Sequence, residues 1–483
     1  MKTKIRIILP IVLALTILGA AVGGWFWYDN NVDRSGWVEK DGVRFYQDFY
    51  ADPVWGWLEL EDGTYYFHED GTPHTGWQSI DGTTYYFADS GIMHTGWLEL
   101  DGKLHYFGGN GAMVEGWLWL EEGRYYLRSG ALLTGWQEID GAVYHFSDEG
   151  IAASGFAQIA ENWYYFDNCI MATGMVTIED QVYLFGEDGI QRTGWQEMED
   201  GIRCFSPEGP MLTGWQEMED GLRLFDENGI LQTGWYSRGE YRYYFREDGT
   251  AATGPIVIDG QTHYFSPKGI EVVLVNALNP VPSWYSLDPV NVVDYHDVDR
   301  LCYDALNKML SDLTAAGIEY TFNSAYRTIT EQTTILEYRT REHMKNFKLD
   351  FREARDKAYE TVAVPGTSEH HLGLAVDLLG SEAVAWLTEH CWDYGFIVRY
   401  TEEKEPITGI VDEPWHFRYV GTEVSLDMKG SGLCLEEYLG AEAVTWEKVA
   451  AKYGEDLYQE TIYEEPKAAT PPAATPTEAA TEP

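Results

Sequence analysis

A Gly-aromatic pair returns every 19 or 20 residues through the first half of the chain, and no other property limits its architecture as tightly. The second position of the pair is Trp37, Trp57, Trp77, Trp97, Trp117, Trp136, Phe156, Trp195, Trp215 or Trp235, with Met175 and Pro255 in the same slot. Asp-Gly dipeptides follow (Asp62-Gly63, Asp81-Gly82, Asp101-Gly102, Asp140-Gly141), and then aromatic runs such as Tyr65-Tyr66-Phe67, Tyr85-Tyr86-Phe87 and Tyr243-Tyr244-Phe245. Asp-Gly between two short strands predicts a hairpin, because its tight turn needs positive φ. One such hairpin has too little surface for a core of its own. Stacking buries the aromatic faces against neighbours, so residues 35–270 are expected to form a β-hairpin solenoid of about twelve 20-residue repeats.

The chain of 483 residues is too long for one core, so a multidomain protein is expected. Residues 1–30 open with Lys2, Lys4 and Arg6 ahead of an uncharged apolar run from Ile7 to Tyr28. As a helix that run covers about 33 Å, enough for a bilayer core of about 30 Å, which predicts a transmembrane helix with its basic flank in the cytoplasm. A cleaved signal segment is the alternative, with Gly19-Ala20-Ala21 as the cleavage site. Either way the protein is expected to be exported, held in the membrane or secreted. A net charge of -46 repels phosphate backbones and excludes nucleic acid as a partner. Cys169, Cys204, Cys302, Cys391 and Cys434 form no CxxC pair and no regular framework, so neither a zinc ribbon nor a disulfide scaffold is expected.

The period stops after Gly269, and two prolines in the stretch from Asn276 to Pro282 mark residues 271–296 as a linker. Apolar residues at helical spacing predict a helix from Asp297 to Gly317, a strand follows at Ile318 to Asn323, and two more helices are expected over 331–347 and 350–362. Ser381 to Tyr394 reads as a helix stopped by Gly395, ahead of a strand from Phe396 to Tyr400. Residues 297–463 are therefore expected to form a compact α+β domain. The Pro-, Ala- and Thr-rich tail over 464–483 is expected to be disordered.

Chemistry gathers in two short stretches of that domain. Pro365 to Leu379 (PGTSEHHLGLAVDLL) carries His370, His371 and Asp377, and Glu413 to Tyr419 (EPWHFRY) adds Glu413 and His416. Two imidazoles and a carboxylate suffice for a catalytic zinc with an open position, and a second carboxylate can serve as general base. Alternation puts Ala375 and Asp377 on one face of a strand and Leu374 and Val376 on the other. An ideal strand throws Glu413 and His416 to opposite sides, so both reach one metal only if the backbone bends there. Residue chemistry leaves open which carboxylate is the ligand and which of His370 and His371 joins it. His296, between Asp294 and Asp297, is read as a solvated helix start and Trp415 as packing. No HExxH helix, no SxxK with KTG and no Gly-rich phosphate loop is present, which excludes zincin, serine penicillin-binding and nucleotide chemistry.

The repeat pattern GWxxxDGxxYYFxxxGxxxTGW resembles the cell-wall-binding repeats of choline-binding proteins, glucan-binding proteins and clostridial toxins. That resemblance implies wall binding through Trp57, Trp77, Trp97, Trp117, Trp136, Trp195, Trp215 and Trp235. Choline-binding members place a further Trp before the Tyr-Tyr pair; here the slot holds Thr64, Thr84, Leu104 or Arg124, and Trp163 alone fits, so a wall glycan or another wall polymer is the expected ligand. SxHxxGxAxD from Ser368 to Asp377, ExxH from Glu413 to His416 and SAYRTITEQ from Ser324 to Gln332 resemble the VanY-type D-alanyl-D-alanine carboxypeptidases of zinc peptidase family M15. The resemblance implies His370, Asp377 and His416 as Zn2+ ligands, Glu413 as catalytic base, Arg327 at the substrate carbonyl or oxyanion, and Ser368 and Gln332 as substrate-binding residues. His371 stands where many members have Gln and is expected beside the site rather than on the metal. The implied substrate is the peptidoglycan stem peptide, cut outside the cytoplasm. An L,D-carboxypeptidase on tetrapeptide stems, or a non-catalytic wall-binding protein with a retired peptidase domain, are the alternatives.

Overall fold

The computed structural model describes residues 33–459. The apolar segment expected to cross the membrane over 1–30 and the tail over 464–483 both lie outside those residues. Among the described residues no helix is long and apolar enough to cross a membrane. The chain divides into two compact units, one running to Thr193 with Pro207–Pro210, the other comprising Gly194–Ser206 and everything from Met211.

The first unit is a succession of two-stranded hairpins, such as Gly56–Leu60 with Gly63–Phe67 and Gly76–Ile80 with Thr83–Phe87. In each, the Trp of the Gly-Trp pair faces the middle residue of the Tyr-Tyr-Phe run: Trp57 opposite Tyr66, Trp77 opposite Tyr86. Neighbouring hairpins meet through the same rings. Trp57 lies 4.9 Å from Tyr66 of its own hairpin and 5.0 Å from Tyr85 of the next. The dry spine is phenylalanine, since Phe67, Phe87, Phe107, Phe146, Phe166 and Phe185 are at most 2% exposed.

Turn chemistry departs from the expectation at one class of repeat. Asp81-Gly82, Asp101-Gly102 and Asp140-Gly141 occupy the two turn positions with φ between 51° and 80°, as a primed turn requires. Asp62-Gly63 does not: Leu60 pairs with Gly63, so the turn is Glu61-Asp62 and Gly63 begins the strand. The cross-strand register, fixed by Trp57 opposite Tyr66, overrides a dipeptide that arrives one residue late. Gly63 is still needed, because a Cβ there would come within 2.7 Å of Ile92 in the next repeat.

In the second unit, four further hairpins bury Phe205, Phe225, Phe245 and Phe265 in the same way. The stretch 271–296, expected as a linker, is packed instead: Val272, Leu274 and Val275 are at most 5% exposed, and Pro289–Val293 pairs with His296–Asp299 as a hairpin. His296 is therefore in a strand, its ring 5.0 Å from Phe322, and not at a solvated helix start. The helix starts three residues later, where the Asp299 side chain caps Leu301 N–H.

The following domain runs α1 (Arg300–Ala315), β1 (Thr321–Ser324), α2 (Ile329–Phe347), α3 (Phe351–Tyr359), β2 (Ala375–Leu379), α4 (Ser381–His390), β3 (Phe396–Val398) and β4 (His416–Tyr419). It is the α+β arrangement expected. The four strands form an antiparallel sheet in the order β1-β2-β4-β3. Apolar residues on α1 (Cys302, Leu306, Met309, Leu313) and α4 (Ala383, Leu387) join Val376 and Leu378 of β2 and Phe417 and Tyr419 of β4 in one buried core. Alternation along β2 and β4 then leaves Asp377, His416 and Arg418 on the other face, beneath a cleft. All five cysteines are buried and unbridged.

Candidate metal centre

The loop carrying His370 is shaped by two local constraints. Residues Glu369–Leu372 form one 3-10 turn, with the Ser368 side chain accepting from His370 N–H at its start. Gly373 ends it at φ 67°, and a Cβ there would stand 2.7 Å from both Asp299 N and Leu287 Cδ1. The chain therefore turns sharply into β2, which sets His370 over Asp377.

On the neighbouring strand, Glu413 is brought round by a turn. His416 N–H donates to the Glu413 carbonyl at 3.0 Å, with Pro414 inside the turn. The bend that the sequence demanded is thus made before β4 begins, and a Glu413 carboxylate oxygen lies 3.9 Å from His416 Nδ1.

His370, Asp377 and His416 each present a ligand atom, all within 4.8 Å of one another, and all three residues are buried. The free nitrogens are defined by what the other nitrogens do. His370 Nδ1 lies 2.6 Å from the Ala325 carbonyl, which takes its proton and leaves Nε2 facing Asp377 Oδ2 at 3.4 Å. His416 is reversed, with Nδ1 3.1 Å from Asp377 Oδ1 and Nε2 3.3 Å from Glu369 Oε2. Two imidazole nitrogens and a carboxylate converge with their outer atoms already committed, a donor set that fits tetrahedral zinc with one open position. His371 does not take part: its Nδ1 donates to the Arg327 carbonyl at 2.7 Å and its Nε2 accepts from Gly366 N–H at 3.1 Å.

Electrostatics separate the two carboxylates. Burial would raise both, but His370 and His416 hold Asp377 well below the usual carboxylate range. Glu413 is pushed up to about 7 by burial, with Asp377 adding to the shift and His416 opposing it. Burial also lowers His370 to about 4, so its ring is neutral at pH 7.

Arg327 is anchored on three sides, by Nε to Ser324 Oγ at 2.7 Å, Nη1 to Gln332 Oε1 at 3.2 Å and Nη2 to Asp377 Oδ2 at 2.7 Å. Gln332 is 1% exposed and its other amide end donates to the Ala363 carbonyl, so it braces Arg327 from inside. Ser368, Gln332, Arg327, Glu413 and Trp415 line, with His370, Asp377 and His416, a cleft of about 570 Å³. Sequence reasoning missed Glu369, which also lines this cleft, and Arg399 and Arg418 behind it; for the two arginines the available signal was a charged residue inside each of the apolar runs FIVRY and HFRY.

Along the repeats, Trp77, Trp136, Trp195 and Trp235 are 38–47% exposed, whereas Trp57, Trp97, Trp117 and Trp215 are half-buried. The slot before the Tyr-Tyr pair holds Arg44, Arg124 and Arg242, of which Arg44 lies 3.8 Å over the Trp37 ring and Arg242 4.3 Å over Trp235.

Residues 295–422 match the family described as D-alanyl-D-alanine carboxypeptidase, VanY, and residues 74–117, 133–168 and 232–273 match the choline-binding repeat. The D-alanyl-D-alanine carboxypeptidase of Enterococcus faecalis is 38% identical over 178 residues, which cover 35% of this chain and 66% of that protein. The bifunctional D-Ala-D-Ala dipeptidase and D-Ala-D-Ala carboxypeptidase VanXYC of Enterococcus gallinarum is 36% identical over 141 residues, covering 26% of this chain and 69% of that one. A solved structure of the vancomycin-resistance D,D-pentapeptidase VanY, in complex with Zn(II), shares 38% identity, covers 35% of this chain and 97% of its own, and superposes with a TM-score of 0.34. Matched by that family model and by relatives over two thirds of their length, the chain belongs to the VanY family of D-alanyl-D-alanine carboxypeptidases, joined to choline-binding repeats.

Proposed function

We propose that the protein is a zinc-dependent D-alanyl-D-alanine carboxypeptidase that removes the terminal D-Ala from peptidoglycan stem peptides. The convergence of His370, Asp377 and His416 within 4.8 Å, with Glu413 at their edge, carries this reading. His370 Nε2, Asp377 and His416 Nδ1 would hold Zn2+, which would supply a Lewis acid for the scissile carbonyl and for the attacking water. Glu413 is the base: it takes the proton of the attacking water and hands it to the leaving amine of D-Ala. A carboxyl pushed up to about 7 suits both halves of that task near neutral pH. Arg327, fixed by Ser324 and Gln332, donates to the carbonyl oxygen as negative charge develops there. Ser368 lines the cleft beside the bound peptide end.

The division of labour follows the chain. Residues 297–463 cut, and 35–270 hold the enzyme on the wall through the half-exposed Trp rows, outside the cytoplasm, where the basic and apolar N-terminal segment directs it. A wall polymer other than choline is the preferred ligand, because Arg44 and Arg242 already lie over Trp37 and Trp235 as the chain's own cations.

The test is to incubate the full chain with pentapeptide and tetrapeptide stems, with and without a chelator, and weigh the products. Loss of one D-Ala from the pentapeptide only, abolished by chelation and restored by zinc, is expected. Cleavage of the tetrapeptide alone would replace the D,D reading with an L,D one, and turnover indifferent to chelation would remove the metal from the mechanism.

A further inference from the structure

Four ionisable side chains under the metal centre have no part in the chemistry above. Glu369, Arg399, Arg418 and Glu436 are each at most 2% exposed. Arg399 donates through Nε to Glu369 Oε1 at 2.8 Å and through its two Nη atoms to Glu436 at 2.9 and 2.5 Å. Arg418 donates through Nη1 to the same Glu369 Oε1 at 3.0 Å, and through Nη2 to the Val273 carbonyl at 2.7 Å. Asn276 Nδ2 closes the outer side on Glu436 Oε1 at 2.9 Å. Two guanidiniums and two carboxylates cancel in charge. Stability is a weak reason for burying them, because well-packed apolar residues at such sites are often as stable or more so. The set has one outlet toward the chemistry, Glu369 Oε2, and it faces His416 Nε2 at 3.3 Å.

We propose that Glu369 is a positioning residue for the metal centre: its Oε2 accepts the His416 Nε2–H and so turns the Nδ1 lone pair to the metal, while Arg399 and Arg418 hold the carboxylate in place. The inference rests on the zinc reading of the site. An imidazole that gives its proton to a fixed carboxylate has one tautomer and one ring orientation available, which raises the basicity of the nitrogen that ligates. His370 has its own orienter in the Ala325 carbonyl, so the two rings present opposite nitrogens through different partners.

Glu369→Gln gives a specific outcome because the cluster dictates the amide orientation. The carbonyl oxygen must face the two guanidiniums, which only donate. Its NH2 then faces His416 Nε2, forces that nitrogen to accept and leaves the proton on Nδ1, where the metal belongs. The expected result in the full chain is zinc affinity about 10- to 100-fold weaker in a chelator competition at pH 8, in a variant that still folds cooperatively but melts lower without zinc, because two buried guanidiniums lose a carboxylate partner. Equal zinc affinity in a folded variant overturns the proposal. In the zinc-loaded wild type, two-bond 1H–15N spectra of labelled histidines provide a check that needs no substitution. His416 metallated at Nδ1 with its proton on Nε2 is expected, and His416 metallated at Nε2 overturns the proposal even if the variant fails to fold. A wild-type chain that binds no zinc would instead defeat the reading of the site itself.

Discussion

Glu413 and His416 share a turn and both are pushed up, Glu413 toward its neutral form and His416 toward its charged one, and that contrast decides what each can do. Glu413→Gln keeps the shape but cannot take a proton, so kcat is expected to fall by about 10² to 10⁴ while zinc affinity stays near wild type. Mass-spectrometric turnover with a chelator titration checks both, and wild-type turnover would end the base assignment. His416 is buried, which alone would lower it, but its hydrogen bonds to Asp377 and Glu369 push it up to about 9 in the zinc-free protein. Because that value lies above the ordinary 6.5, the charged ring stabilises the zinc-free fold fully below about pH 6.5, and the contribution is lost as pH rises through 9. Zinc needs the Nδ1 lone pair, so binding at pH 7 releases about one proton, and affinity gains about tenfold per pH unit between 7 and 9. Calorimetry in buffers of different ionisation enthalpy measures that proton; none released would contradict the His416 assignment. Residue type showed that imidazoles and carboxylates gather in two stretches, but the choice of His370 over His371 and the separate roles of Asp377 and Glu413 came only from the resemblance to the VanY-type enzymes. Glu369 and Arg418 were not legible in the sequence, since a charge in a loop or strand ordinarily reads as a solvated face, and burial of a neutral cluster depends on partners 30 to 49 residues away.

At the scale of elements, the site depends on one sharp return of the chain. Gly373 stands between the turn holding His370 and the strand holding Asp377, at φ 67° and against Asp299 N and Leu287. Gly373→Ala meets both a left-handed backbone and a contact with no room for a methyl, so a loss of about 2 to 4 kcal/mol in urea unfolding is expected. Zinc affinity should fall with it, because the turn is displaced from β2. An alanine variant as stable as wild type would mean that the turn has slack. Helix positions were readable from apolar spacing: α1 carries Leu306, Met309, Leu310 and Leu313 inward as expected. Starts and turns were less so. Asp297 was expected to open a helix but belongs to a strand paired with Asn291, and Asp62-Gly63 lost its turn to the pairing of Trp57 with Tyr66. In both places pairing across a hairpin overrides the signal of a single residue or dipeptide.

The second unit, taken whole, has no clean cut between its repeats and its peptidase sheet. Leu224, Tyr243, Phe245, Ile270 and Leu274 share a buried cluster with Ile397, Val420, Val424, Met428, Leu435 and Leu439. Polar ties cross the same region, with Tyr419 donating to Glu240 at 2.7 Å and Lys268 paired with Asp427 at 2.7 Å. The 20-residue period could not announce this, because the repeats there keep the pattern of all the others while their outer faces find different neighbours. A chain beginning at residue 271 loses the apolar cover of Val420, Val424, Met428 and Leu435, and at roughly 1.5 kcal/mol or more for each the loss is on the order of 5 kcal/mol. It also loses the Glu240 partner of Tyr419, next to Arg418 and the cluster under His416. A chain beginning at residue 211 keeps all of these. The shorter protein is therefore expected to unfold at markedly lower urea, bind an apolar dye and hold zinc less tightly, while the longer one behaves as the full chain does. Equal unfolding midpoints for the two would mean that the last repeats only lean on the catalytic domain, and that wall binding and cutting are mechanically separate.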